Sequence, residues 1–291
     1  MMTVDALFSD EPPEFLFHYT GVESLLGIAN TRSLWASHAY YMNDSLEIKQ
    51  AVQVFFKAID TIRDSGSFSR EEEEFLNSMF MWIASFRDTL HHIFVFALSE
   101  HSNLLSQWRS YTPHAKGVSI GFSGAALQAV AKANRLRIGQ CKYTQDEHMA
   151  ATLAVGRELL NKFSQRKGNI DLSRDGRDRK YWGFLEEFRG DVLQALALVK
   201  HGTFREEGEW RLVSEYFPNY TVPEVKFRPG ASLLMPYIEV PLSQTSEPMF
   251  TRVTLGPTPH NNLSMSALSA FLSNKGICNS VLSCGIPYRE W

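Results

Sequence analysis

The sequence predicts an α+β fold, and three observations carry that prediction. Helical hydrophobic periods, several opened by capping boxes, crowd the first two thirds of the chain, whereas strand-like alternation fills most of the last third. No internal repeat or low-complexity tract interrupts the pattern, which separates into helix-rich and strand-rich stretches rather than the steady alternation of a doubly wound sheet. At 44% hydrophobic and 12% aromatic residues, the 291-residue chain has ample material for a packed core.

The elements follow in order. Phe15 to Thr20 alternates as a strand, and Thr20 with Glu23 forms a capping box for a helix through Leu25, Leu26 and Ile28, which Asn30 ends. Ser33 to Ser37 reads as a second strand, and Asp44 with Glu47 caps a helix holding Val52, Phe55, Phe56 and Ile59. Ser69 with Glu72 caps the next helix, to about Phe86, and Ile93 to Leu98 is an apolar run expected at the centre of the sheet. A short aromatic helix with Trp108 and Tyr111, a strand from Gly117 to Phe122, a helix after Ser123 and a strand ending near Tyr143 complete the middle. Thr144 with Glu147 caps a helix towards Phe163, and a polar loop from Ser164 to Lys180 precedes a helix of Leu185, Val192, Leu193, Leu196 and Val199. Strands are then expected at Glu207–Ser214, Val225–Arg228, Tyr237–Pro241, Phe250–Leu255 and Ser280–Ser283, with one helix after Ser264. The organisation expected is a single domain, 1–291, with a helical insertion at about 145–200.

Composition excludes more than it identifies. Lys and Arg total 29 against 32 Asp and Glu, a net charge of −3 that implies neither a polyanion binder nor an acidic tail. Cys141, Cys278 and Cys284 lack the even count of a disulfide framework, so a reducing compartment, the cytoplasm, is expected. The start of the chain is acidic where a signal peptide needs bases, and no apolar run reaches the roughly 18 residues of a membrane span. No membrane is therefore expected as a partner.

Familiar catalytic signatures are missing. Gly117-Val118-Ser119-Ile120-Gly121 matches the nucleophile-elbow pattern, but Ser119 falls mid-strand instead of on the required tight turn. No zinc-type histidine or cysteine spacing is present, so no metal is expected, and the usual phosphate loops are absent. The loop from Arg166 to Lys180 holds six bases and three acids, and through Arg174, Arg177 and Arg179 it offers an alternative reading as a nucleic-acid or nucleotide-signal contact. No aromatic residue interleaves with those charges to stack bases.

The segment Glu207-Gly208-Glu209-Trp210-Arg211 carries the chemistry. As a strand it places Glu207, Glu209 and Arg211 on one face and Trp210 and Leu212 in the core, with the two carboxylates about 7 Å apart. Such a pair stabilises positive charge with one member and deprotonates a nucleophile with the other, though the segment taken alone better fits a solvated face with Arg211 paired to Glu209. His18 lies on the opposite strand face from Phe17 and Tyr19, just before a helix N-terminus. Thr20, Ser37, Trp108 and Tyr111 stand at strand ends and loop starts, where ligand sites gather.

The order of His18-Tyr19-Thr20, Leu34-Trp35-Ala36-Ser37, Asn43-Asp44-Ser45-Leu46-Glu47, Trp108-Arg109-Ser110-Tyr111, Lys116-Gly117-Val118, Glu207 to Arg211 and Ile286-Pro287-Tyr288-Arg289 resembles the bacterial family called domain of unknown function 2971. The same skeleton, a strand bearing His and a late strand bearing Glu-x-Glu, is similar to the ADP-ribosyltransferase fold. That resemblance implies a split fold of mostly antiparallel mixed sheets flanked by helices, with NAD bound as substrate. It implies that His18 binds a ribose hydroxyl, that Glu209 grips the nicotinamide ribose and that Glu207 activates the acceptor. Tyr19, Thr20, Ser37 and Arg211 join the implied NAD contacts, Arg109 is implied to pair with the pyrophosphate, and Tyr111, Trp108 or Tyr41 to stack on nicotinamide. The middle Ser-Thr-Ser strand of those enzymes has no match here. The activity implied is cleavage of NAD with transfer of ADP-ribose to a macromolecule or water, with a toxin or antiphage effector as the expected setting.

Overall fold

The computed structural model describes residues 3–42, 47–87, 91–173, 175–176, 179–230, 233–242 and 249–287. The chain opens with β1 (Phe15–Thr20), α1 (Val22–Thr31) and β2 (Ser33–His38), followed by α2 (Glu47–Asp64) and α3 (Arg70–Ala84). The middle comprises β3 (Phe94–Ser99), α4 (Leu105–Tyr111), β4 (Val118–Ser123), α5 (Gly124–Ala133), β5 (Arg137–Gln140) and α6 (Gln145–Arg166). Two short helices, α7 (Trp182–Glu186) and α8 (Arg189–Leu196), stand where one was expected, and β6 (Glu209–Val213), β7 (Val225–Pro229), β8 (Leu234–Pro241), β9 (Arg252–Leu255), α9 (Asn261–Lys275) and β10 (Val281–Ser283) follow.

Local chemistry explains most boundaries. The Ser69 and Thr144 capping boxes form in full, each hydroxyl accepting from the backbone of the Glu three residues on and each Glu reaching back. The box expected at Thr20 and Glu23 does not form. Thr20 is still extended and paired with Val118 in the sheet, so Gly21 takes the cap position without a side-chain bond. The Asp44–Glu47 box lies outside the described residues.

The architecture is α+β, with helices flanking an open and mostly antiparallel mixed sheet. Among the described residues its order is β10-β9-β4-β1-β3-β2-β8-β7, with β6 on β3 and β5 on β6, and only the β9–β10 pair is parallel. Side chains alternating along β3 feed two cores. Val95 packs with α2, α3, α6, α7 and α8 through Phe55, Trp82, Phe163 and Leu193, whereas Phe96 and Leu98 pack with α1, α5 and α9 through Ile28, Leu127 and Leu272. The helical stretch expected at 145–200 therefore shares one core with α2 and α3. No helix among the described residues is long and apolar enough to cross a membrane.

One edge of β3 is shared by two strands. β2 pairs with its start, Ser37 opposite Val95 and His38 opposite Phe94, whereas β1 pairs only with its end, Phe17 opposite Ser99. Between these contacts β1 and β2 diverge, and among the described residues Phe96, Ala97 and Leu98 have no strand partner on that side. The other edge of β3 is paired along its length to β6, from Val95 opposite Val213 to Ser99 opposite Glu209.

Gly27 sets how closely α1 approaches β2 beside this divergence, because a Cβ there would overlap the Trp35 ring. Gly27→Ala should therefore cost about 1–3 kcal/mol of overpacking despite the better helix propensity of alanine. Urea unfolding checks this, and an unchanged or raised midpoint would show that Trp35 moves aside freely.

Candidate functional site

The divergence opens a cleft of about 360 Å³ lined by His18, Tyr19, Thr20, Trp35, Ser37, Tyr41, Tyr111 and Arg228, among others. A smaller pocket of about 50 Å³ shares His18, Tyr19, Met42, Ala97 and Tyr111 with it and adds Glu207 and Glu209. By register His18 alternates to the other side of the sheet from the row Phe17, Ser99 and Glu209. The gap in the sheet is what lets groups from both faces line one space.

His18 spans that gap. Its Nδ1 lies 2.9 Å from the Ala97 carbonyl, which no strand on that edge engages, and its ring stacks on Phe96 at 4.2 Å. A carbonyl only accepts, so Nδ1 carries the proton and Nε2 is the acceptor of the neutral ring. Burial, opposed by that hydrogen bond and aided by the Arg228 charge, lowers the His18 pKa from 6.5 to about 4.

The acidic segment differs from its expected form. Glu207 ends a 3₁₀ turn, Gly202–Glu207, and Gly208 reverses the backbone in the left-handed region at φ 50° before β6 begins at Glu209. The two carboxylates therefore do not alternate along one strand, and glycine is the residue that such a turn accommodates without strain. Nor is the face solvated, since Glu207, Glu209 and Arg211 are all buried.

Lys200, unmarked in the sequence reading, draws the two acids together. Its Nζ donates to Glu207 Oε2 at 2.6 Å and to Glu209 Oε2. Arg211 Nε donates to Glu209 Oε1 at 2.7 Å, and its Nη1 donates to the Ala197 carbonyl at 2.6 Å. The Tyr111 hydroxyl donates to Glu207 Oε1 at 3.1 Å, and the Glu209 backbone N–H donates to the Tyr143 hydroxyl at 2.7 Å. Two acids and two bases sum to zero charge, which is how four ionic groups tolerate burial. Burial opposes the charge on Glu209, but Arg211 and Lys200 outweigh it and hold the carboxyl below its ordinary range. Burial likewise opposes the charge on Lys200, and Glu209 more than restores it.

The other expected residues are distributed as follows. Ser37, Thr20, Tyr19, Tyr41 and Tyr111 line the cleft. Trp108 is buried behind it, edge-on to Tyr19 and donating from Nε1 to Asn103 Oδ1 at 2.9 Å. Arg109 is exposed on α4 and does not line the cleft. Arg211 lies beneath Glu209 rather than on the cleft wall. Arg174 and Arg177 lie outside the described residues. Around them Arg179 stacks on Trp182 at 4.9 Å, Arg166 pairs with Glu187 at 2.8 Å and Lys180 pairs with Glu74 at 2.7 Å. Arg228, also missed from sequence, lines the cleft and reaches Ser37 Oγ at 2.8 Å. A separate cavity of about 400 Å³ between α1, β9 and α9 is walled by Leu25, Leu255, Pro257 and Phe271, and no carboxylate or histidine lines it.

Residues 107–212 match the family model described as Protein of unknown function (DUF2971). That match covers less than half of the chain. The DUF2971 segment contains Tyr111, Lys200, Glu207, Glu209 and Arg211, while His18, Ser37 and Arg228 lie outside it. No curated protein and no solved structure matches the chain.

Two measurements probe the site's electrostatics. Lys200→Met leaves two carboxylates against one guanidinium, so folding stability should fall by about 3–5 kcal/mol in denaturant unfolding, and a loss below about 1 kcal/mol would contradict the buried network. His18 has a folded pKa depressed from 6.5 to about 4, so the unfolded chain binds the extra proton between those values. Its contribution to stability is complete above pH 6.5 and is lost as pH falls towards 4. His18→Asn should therefore flatten the pH dependence of stability in that window by up to about 1.4 kcal/mol per pH unit, and superimposable slopes would contradict the assignment.

Proposed function

We propose that the protein is an ADP-ribosyltransferase-like enzyme that binds NAD at the β1/β2 divergence, cleaves the nicotinamide–ribose bond and passes ADP-ribose to a macromolecule or water. The observation that carries this reading is that His18 and Glu209, which belong to opposite sheet faces, line one pocket with Tyr111 and Glu207.

The chemistry follows from the residue types. As the C1′–N bond breaks, its electron pair leaves with nicotinamide, which departs neutral, and the ribose becomes an oxocarbenium-like cation. A fixed carboxylate stabilises that cation most effectively where water is excluded, and Glu209 supplies it. Glu207 takes the proton of the attacking hydroxyl, whose oxygen forms the new bond to C1′. Lys200 now stands between these carboxylates, so its ammonium must withdraw from at least one of them before the sugar meets net negative charge. Neutral His18 offers Nε2 as an acceptor for a ribose hydroxyl, and Tyr41 and Tyr111 supply aromatic rings for nicotinamide.

Nicotinamide release from NAD by the purified protein, with and without cell extract as acceptor, tests this proposal. Glu209→Gln is expected to lower the rate at least about 100-fold while leaving NAD binding within a few-fold, since it removes charge needed only in the transition state. Equal turnover before and after the substitution sinks the proposal. NAD binding without any release would favour a non-catalytic nucleotide-binding module in the same cleft.

A further inference from the structure

Several partly or fully buried arginines among the described residues have a carboxylate. Arg137 meets Asp191 at 3.0 Å, Arg189 meets Glu186, and Arg211 meets Glu209 at 2.7 Å. Arg228 on β7 differs. Among the described residues it makes no ion pair, and the hydroxyl of Ser37 accepts from its Nη2 at 2.8 Å. Glu239, on the neighbouring β8, is already paired with Lys226 at 2.8 Å.

Its surroundings orient the guanidinium without neutralising it. The group lies 5.7 Å from the Trp35 ring centroid and 5.9 Å from that of Tyr237, so two aromatic faces hold it at the cleft wall. Arg228 Nε and Trp35 Nε1 are both buried donors with no acceptor among the described residues, although buried N–H groups rarely go unpaired. The Ser37 hydroxyl, having accepted from Arg228, still has its own proton to donate. Three side chains of one cleft thus gather donors and positive charge with too few acceptors. Burial, acting against the charge, lowers the Arg228 pKa, which is the expected strain on a cation awaiting an anion.

We infer that Arg228, Ser37 and Trp35 form an oxyanion subsite that takes a phosphate or diphosphate group of a ligand lying in the cleft. A guanidinium fork matches phosphate oxygens two at a time, and the adjacent hydroxyl and indole N–H add donors to an acceptor-only group. The subsite replaces Arg109 as the partner for a pyrophosphate, since Arg109 is exposed and does not line the cleft. Identifying the diphosphate as that of NAD rests on the function proposed above, whereas the subsite's preference for phosphate oxygens does not.

Calorimetric titration of the full chain with ADP-ribose, inorganic pyrophosphate and phosphate-free nicotinamide riboside tests the inference. Arg228→Gln should weaken ADP-ribose and pyrophosphate at least about 10-fold and leave nicotinamide riboside within about twofold. Ser37→Asp supplies an internal counter-ion and keeps Arg228 in place, so it should produce the same loss with an undiminished thermal midpoint. Wild-type protein that binds neither phosphate compound, an Arg228→Gln variant that binds ADP-ribose as tightly as wild type, or equal losses for all three ligands would overturn it. Arg228-dependent pyrophosphate binding without nicotinamide release keeps the subsite and removes the proposed activity. Nicotinamide release with Arg228-independent ADP-ribose binding does the reverse.

Discussion

Hydrogen bonding along one edge of β3 governs the geometry of the cleft. A six-residue strand normally has each edge satisfied by a single partner, but here β2 takes the beginning of the edge and β1 the end. The Ala97 carbonyl between them would be a half-buried acceptor without a strand donor, and His18 Nδ1 supplies the missing hydrogen bond. The divergence and the histidine are therefore one structural fact. Closing the gap would leave no room for the ring, and without the ring the gap would expose an unpaired backbone group. The same bond selects the neutral Nδ1–H tautomer, so the group that closes the backbone account also presents Nε2 as an acceptor.

Electrostatics divide the cleft into two unlike ends. At one end Glu207, Glu209, Lys200 and Arg211 cancel in a closed set, and each carboxylate is held by at least one buried cation. At the other end Arg228 keeps an uncancelled charge beside neutral Ser37 and Trp35, while Glu23 in the cleft lining is exposed. His18 lines both spaces, and its pKa is lowered chiefly by burial and further by the Arg228 charge. The two ends therefore differ in net charge, one closed and neutral and the other positive.

Much of the fold was legible because its signals are local. Period-two alternation in Phe15–Thr20 and the capping boxes at Ser69 and Thr144 are written within a few residues, and they formed as read. Thr20 misled because a sheet partner, Val118, 98 positions away, held it extended and moved the cap to Gly21. Glu207 misled because Gly208 reads as a strand residue until its left-handed conformation is known. Lys200 and Arg228 were silent for a different reason. A lysine at the end of an apolar run looks like a solvated terminus, and an arginine on an edge strand looks like a guard against aggregation, until tertiary packing removes their water. Burial of charge is a long-range property that no local pattern records.

The DUF2971 segment, residues 107–212, carries the carboxylate end of the cleft with Tyr111 and Lys200, whereas β1, β2 and β7 bring His18, Ser37 and Arg228 from outside it. The two halves are joined by β1 on β4 and by β3 on β6, and the second pairing places Glu209 opposite Ser99 and ties it to the edge that His18 closes. Lys200 adds a second tie. It follows α8 in the chain stretch whose Ala197 carbonyl holds Arg211, so the packing of that helix positions both cations that restrain Glu209. Releasing Lys200 from the carboxylates without moving Arg211 therefore requires motion of one side chain, not of the helix. The flexible lysine stem permits that rotation, whereas the arginine fork, anchored at both Glu209 and Ala197, does not. Lys200 is thus the cation of the set that a side-chain rotation alone can move, and Arg211 keeps its hold on Glu209 when it does.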